Sequence, residues 1–411
     1  MKVNHLKTFI VKITTSLAII LTIFISPSLW ADEITDVDNS ISFNEKLAHA
    51  DNIRSSHPKQ FLVLINELNQ LANNLSNSQQ FTLDYLNFYL LIYQGNLTEA
   101  INSAKVLLNS NADSLLKFRA KLSLINTFAN KQSWTEGLAT ISSMLEELPL
   151  IKDKKLHHLA LIITSIFYNQ LGQYNLGLFY ARKVELTSKQ GRDNCIAKML
   201  IIESSFRLKQ LTPTSQIIDQ AISLCRTNNE YLSISFINSY VAKMHLENQQ
   251  HDKALALLQA SLQETLNTQY SLIIAEYYSL LAQAHWLNNN TELTKQFALK
   301  ALEYEKAENT NAAKLLAYKL LFEVTKAEEN YQLALNYHQK YTIADKLFYA
   351  ENHAKHLAFQ LAEHQAIEQK NRIDLLHEKN NFLTTEQALI KANAENTRFI
   401  MVSNEKTMRF S

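Results

Sequence analysis

The sequence predicts an all-α protein, a right-handed α-solenoid of about eight helical hairpins ending in a long amphipathic helix. Three observations carry that prediction. Only five Gly and four Pro occur in 411 residues, too few for the tight turns on which strand pairing depends. Helix-favouring Leu, Ala, Lys, Glu and Gln, together with Asn, dominate the rest. Similar segments then return at intervals of 37 to 40 residues, as stacked repeats do. With 46% of residues apolar, the chain has enough surface to bury, so order is expected throughout.

At the N-terminus, Lys2, Lys7 and Lys12 precede the apolar run SLAIILTIFIS, which leads into PSLWA and then the acidic pair DE. That order is the pattern of a secretory signal peptide, residues 1–31, cut after Ala31. The alternative is an uncleaved anchor. Residues 13–30 serve as one only if Ser and Thr are counted, because a spanning helix wants about 20 apolar residues. Either reading places the rest of the chain outside the cytoplasm, in a bacterial periplasm, and no later segment is apolar enough to cross a bilayer. Forty basic and thirty-nine acidic residues leave a formal charge of +1 with no basic block beyond the N-terminus. Nucleic acid is therefore not an expected partner.

The repeat occupies residues 42–345. Phe61, Ala100, Gly137, Gly177, Ser215, Ala254, Thr294 and Ala334 each stand early in an expected second helix. A polar turn precedes each, and a small residue recurs where two helices must approach. The stretch YNQLGQYNLGLFYARK contains G-x-x-x-x-G at Gly172 and Gly177. A phosphate loop would continue with Lys and Ser or Thr, whereas here Leu178 and Phe179 follow. Gly172 instead reads as the end of a helix and Gly177 as a close helix contact. Pro58 and Pro213 are expected in the first turn of second helices, where a missing N–H costs little.

These features resemble the tetratricopeptide repeat. Tyr168, Gly172, Tyr174 and Gly177 match its large, turn, aromatic and small positions; Ala282, Ala298 and Ala301 match its small positions in a later unit. Pro149 falls where that family places a closing proline. The units are longer than the family's usual 34 residues or so, the unit around Phe61 matches only in its second helix, and the unit around Ser215 fits with a one-residue shift. In the family, the first helices line a concave groove. The resemblance implies that Tyr85, Tyr89, Tyr93, Asn126, Asn130, Asn169, Gln170, Lys243, Glu247 and Trp286 face it. Tyrosines supply contact area and Asn side chains can grip a peptide backbone through donor and acceptor together. The alternative for the tyrosines is packing between repeats.

Beyond the repeats, residues 346–397 run without Gly or Pro and residues 398–411 form a tail. Leu347, Ala350, Ala354, Leu357 and Leu361 follow one heptad-like phase; Ile373, Leu376, Leu383 and Ile390 follow another, with a slip near Glu368. One long helix is expected, packing first on the last repeat and then on a partner, with homodimerisation the natural use. The alternative is a capping helix that folds back along the solenoid. Glu368, Gln369, Lys370, Ile373, Leu375, Leu376, Glu378 and Asn380 resemble the linker of bacterial receptors whose extracytoplasmic tetratricopeptide sensors feed a diguanylate cyclase or histidine kinase. The resemblance implies a sensing role. Where those receptors continue into a membrane helix, this sequence offers only Phe399, Ile400, Met401 and Val402.

Candidate chemistry is sparse. Cys195 and Cys225, on either side of one expected turn, suit a disulfide in an oxidising compartment, with two buried free thiols as the alternative. The histidine pairs His157–His158 and His353–His356, with His364, lack a third ligand at any metal-site spacing. H-E-x-x-H, C-x-x-C, G-x-S-x-G and glycine-rich dinucleotide motifs are absent from the sequence. A metal-dependent enzyme using the histidines is the least favoured reading, and no catalytic residue, metal or cofactor is expected. The favoured one is a non-enzymatic sensing module that binds a peptide or protein; the runner-up is a stand-alone periplasmic scaffold or assembly factor.

Overall fold

In this computed structural model the described residues are 42–54, 58–304 and 311–408. The expected leader, residues 1–31, lies outside them. Eight helix pairs follow one another: α1 (Phe43–Ile53) and α2 (Pro58–Gln70), α3 (Asn77–Tyr93) and α4 (Leu97–Asn109), α5 (Ser114–Asn130) and α6 (Trp134–Glu147), α7 (Lys154–Gln170) and α8 (Tyr174–Thr187). The second half continues with α9 (Gly191–Arg207) and α10 (Gln216–Thr227), α11 (Tyr231–Glu247) and α12 (His251–Asn267), α13 (Ser271–Leu287) and α14 (Thr291–Tyr304), and α15 (Ala312–Ala327) and α16 (Tyr331–Met408). Among the described residues there is no strand, and Pro149 lies in a short 3-10 turn that closes α6.

Chain-local chemistry sets the helix ends. Ser76 caps α3 in a reciprocal box with Gln79, and the carboxylates of Asp113 and Asp153 accept the free N–H groups opening α5 and α7. Seven first helices end on a residue with positive φ: Gly95, Gln132, Gly172, Lys209, Gln249, Asn289 and Glu329. Gly172 N–H donates to Asn169 O at 3.1 Å and Gln173 N–H to Tyr168 O at 2.8 Å, a Schellman closure. The second helix then starts within two residues, and its fourth residue is buried: Ala100, Gly137, Gly177, Ala254, Thr294 and Ala334 all occupy that place.

The fifth hairpin departs from this rule. After Lys209 the chain spends five extra residues before the N-cap, folding a turn in which Ser215 N–H donates to Thr212 O at 3.1 Å. Ser215 is consequently the cap of α10 and not the buried anchor expected of it; Ile218, the third residue of α10 and 3% exposed, is buried in its stead, while the fourth, Asp219, is exposed. Pro213 lies in the inserted turn and not in the first turn of a helix. A disulfide between Cys195 on α9 and Cys225 on α10, with Cα atoms 4.9 Å apart, joins this hairpin's two helices.

First helices touch one another along the whole series from α1 to α15, whereas second helices of adjacent hairpins make no comparable contact. Closer spacing on one side of a stack makes that side the inner one, so the first-helix wall is the concave surface.

The last helix differs most from expectation. It runs 78 residues without a break from the eighth hairpin, about 117 Å at 1.5 Å per residue, so the expected boundary near residue 345 falls inside one helix. Leu347, Ala350, Ala354, Leu357 and Leu361, the stripe expected to pack on the last repeat, are all exposed. The stripe that packs is Glu351, Lys355, Ala358, Phe359 and Ala362, and it lies on α6 of the third hairpin. Shape explains the inversion. Ala358 and Ala362 let the helix approach α6 closely, while the leucines of the other face find no neighbour.

Candidate functional site

Aligned on their positive-φ caps, the first helices place equivalent side chains in rows along the concave wall. Six residues before the cap stand Tyr89, Asn126, Ile166, Glu203, Lys243, Gln283 and Glu323; two before it stand Tyr93, Asn130, Gln170, Arg207, Glu247, Leu287 and Ala327. Four amides in these rows, Asn126, Asn130, Gln170 and Gln283, make no hydrogen bond to another described residue. Tyr93 is also exposed, at 48%.

The other expected groove residues are engaged. Tyr85 is 1% exposed, packed against Phe88 in the core, so it is a packing tyrosine and not a groove contact. Tyr89 is half-buried on Phe61, and burial pushes its hydroxyl pKa up against the lowering effect of Arg54. Asn169 was expected to grip a ligand. Its amide is instead buried, accepting from Ser204 Oγ at 2.8 Å and donating to Glu203 Oε2 at 3.1 Å. Lys243 donates to Glu276 at 2.6 Å and Glu247 accepts from Lys209 at 2.7 Å. Trp286 packs on the core shared by the sixth, seventh and eighth hairpins.

Two charged clusters on the wall were not foreseen. At the N-terminal end, Arg54 and Arg119 both bond to Asp51 at 2.5 Å and lie over the Tyr85 ring at 5.7 and 4.8 Å. Further along, Glu203, Tyr240, Lys243 and Glu276 join α9, α11 and α13. Burial raises Glu203 above the usual carboxylate range, although Asn169, Tyr240, Arg207 and Lys243 oppose it. Tyr240 is pushed far up by burial and by the charges of Glu203 and Glu276. Burial also lifts Glu276, but the charge and hydrogen bond of Lys243 outweigh it and hold that carboxyl low. Glu203 makes no ion pair within 4 Å among the described residues.

The sequence held the means to find Glu203 and Arg207, since both follow from counting back six and two residues from Lys209. The inserted turn hid that cap. Arg54, Arg119, Tyr240 and Glu276 meet only through the stacking of different hairpins, which no spacing records.

Among the described residues no group of three His, Cys, Asp or Glu is placed to hold a metal ion, and no helix is long and apolar enough to cross a membrane. His158 is fixed between Asp193 at 3.0 Å and Thr187 at 3.1 Å.

No protein-family model matches the chain. No curated protein matches it either. Solved structures do. The Rap protein, in its crystal structure with competence and sporulation factor, is 13% identical with a TM-score of 0.52, over 75% of this chain and 99% of that one. A tetratricopeptide repeat protein from Parabacteroides merdae is 13% identical over 68% of this chain and 99% of that one, with a TM-score of 0.45. NprR in complex with its cognate peptide NprX is 14% identical over 80% and 89%, also at 0.45. The first likeness speaks for fold alone. The chain is an all-α solenoid of the tetratricopeptide-repeat type.

Proposed function

We propose that the protein is a non-enzymatic, cofactor-free module that binds an extended peptide or protein segment along its concave wall. One observation carries this reading: Asn126 and Asn130 on α5, Gln170 on α7 and Gln283 on α13 present unspent amide donors and acceptors on the first-helix wall. A peptide backbone needs just such paired partners, and a neighbour of the same fold was crystallised with competence and sporulation factor. Selection from a random peptide library followed by calorimetry tests it. Replacing the four amides together by Ala should weaken a selected peptide at least tenfold, at about 0.5 to 1.5 kcal/mol per lost hydrogen bond. Failure to select any peptide, or unchanged affinity in the fourfold variant, would overturn the proposal.

The finer reading is an extracytoplasmic sensor resembling the input region of a diguanylate cyclase or histidine kinase, with a stand-alone periplasmic scaffold as the alternative. The Cys195–Cys225 disulfide supports an oxidising compartment, as does the leader-like N-terminus. Dimerisation through the last helix belongs to the sensor reading. Leu375 and Leu376, Phe382 and Leu383, and Leu389 and Ile390 recur every seven residues, all of them more than 40% exposed, as a left-handed coiled coil requires. Sedimentation equilibrium should give a dimer, and Leu376→Asp with Leu383→Asp a monomer. A monomer in the parent protein would favour the scaffold.

A further inference from the structure

We infer that the α6 face of the third hairpin is a helix-docking surface whose occupant is residues 351–362 of the chain's own last helix, so that α16 ties the third hairpin to the eighth. The contact is a built one. Ala358 is 8% exposed inside the core of the third and fourth hairpins, with Phe359 and Ala362 packed against the same core. Lys355 Nζ lies 4.9 Å from the centre of the Trp134 ring and is held there by Glu351 at 2.8 Å. A desolvated cation over an indole face is a favourable pairing. Beyond Ala362 every side chain of α16 through residue 398 is exposed, so residues 351–362 are the whole of the contact.

Because α16 is one uninterrupted helix, its seat on α6 and its packing on α15 fix the separation of hairpins that are five apart in sequence. The span so bridged includes Glu203, Lys243 and Gln283 of the concave wall. Solenoids change curvature by small rotations at each interface, and here those rotations sum at the α6 seat. Any ligand that tightens or opens the wall between the third and eighth hairpins must slide α16 on α6 or lift it off. The exposed seam at residues 375–390 moves with it. The docking of α16 is thus the physical link between the wall and the C-terminal end, whichever partner that end takes. Such coupling is reciprocal in free energy.

Leu138, Leu145, Tyr168 and Phe359 line a solvent-open cleft of about 460 Å³ alongside the contact.

The test uses the full chain with spin labels at Ser114→Cys on α5 and Gln332→Cys at the start of α16, both exposed, read by pulsed dipolar spectroscopy. The parent should give one narrow distance, and Ala358→Asp should broaden and lengthen it by more than 5 Å, with helix content unchanged. Leu361→Asp, on the exposed face of the same helix, should leave it alone. An unchanged distance in Ala358→Asp overturns the inference. Hydrogen exchange on the unmutated protein gives an independent reading. Residues 351–362 should exchange at least tenfold more slowly than residues 370–397, and equal rates would also overturn it. The coupling to ligand rests on the proposed groove. A library-selected peptide should shift the distance in the parent and bind Ala358→Asp with altered affinity. If no peptide is selected, the groove reading fails while the tie stands on the distance and exchange results.

Discussion

At the scale of single residues the wall is governed by two kinds of position, those that let helices close and those that keep charge out of water. Gly177 is of the first kind. A Cβ there would overlap the Asn169 amide, the group that holds Ser204 and Glu203. Gly177→Ala should therefore cost about 1 to 3 kcal/mol in urea denaturation. Gly172→Ala meets no neighbour but must adopt φ near +83°, and should cost about 1 kcal/mol. A cost well under 1 kcal/mol for Gly177→Ala would mean that the Asn169 contact does not hold that position. Glu203 is of the second kind. Its carboxyl is raised in the folded state, so the native protein binds the proton more tightly than the unfolded chain does. Stability must then fall as pH rises from the ordinary glutamate value, about 4.3, through the folded value, and level off above it. Glu276, held low, contributes with the opposite sign, losing stability as pH falls. The variant Glu203→Gln separates them: urea midpoints measured across pH 4 to 8 should show it gaining on the parent as pH rises. A constant difference across that range would contradict the assigned environment.

At the scale of elements, how much could be read from the sequence depended on whether a feature was local. The end of α7 was legible because a cap is written within a few residues: Gly172 reads as a helix end and takes positive φ there. Tyr93, Asn126, Asn130 and Gln170 were expected in the groove from the family resemblance, and the structure places them in the two rows counted back from the helix ends. The fifth hairpin was misread because five inserted residues moved its second helix, and Pro213 suggested a helix start where the chain makes an extra turn. Of the two readings open for Tyr85 the structure takes the packing one, because two rows of the same helix differ only in what lies behind them, and Phe88 lies behind this one. The disulfide compensates for the long turn. With Cys195 and Cys225 separated by 30 positions, cross-linking should stabilise by roughly 3 to 4 kcal/mol if the effect is mainly chain entropy. Cys195→Ser with Cys225→Ser should lower the urea midpoint accordingly and spare α1 to α4. A loss under 1 kcal/mol would mean that the inserted turn is already held by Thr212 and Ser215.

At the scale of the whole molecule, stability is a sum of neighbour terms and few contacts reach beyond the adjacent hairpin. Exposed ion pairs repeat this spacing: Arg192–Glu230, Lys209–Glu247 and Arg226–Glu264 each tie positions 38 residues apart. Each is worth little individually. In such a stack no single cooperative transition is required. The exception is α16, which returns from the eighth hairpin to the third and makes the hairpins between them one closed unit. The first two hairpins, α1 to α4, lie outside that unit and are joined to it through α5, by the Arg119–Asp51 bond and by Lys131 donating to Thr98 at 2.8 Å. Native-state hydrogen exchange should therefore find the lowest opening free energy in α1 to α4 and the highest in α7 to α13. Cutting the tie with Ala358→Asp should bring the two groups closer by lowering the second alone. If α7 to α13 open as easily as α1 to α4 in the parent protein, the long helix carries no tension between its two seats. The solenoid would then behave as an open stack whose curvature its ligand alone decides.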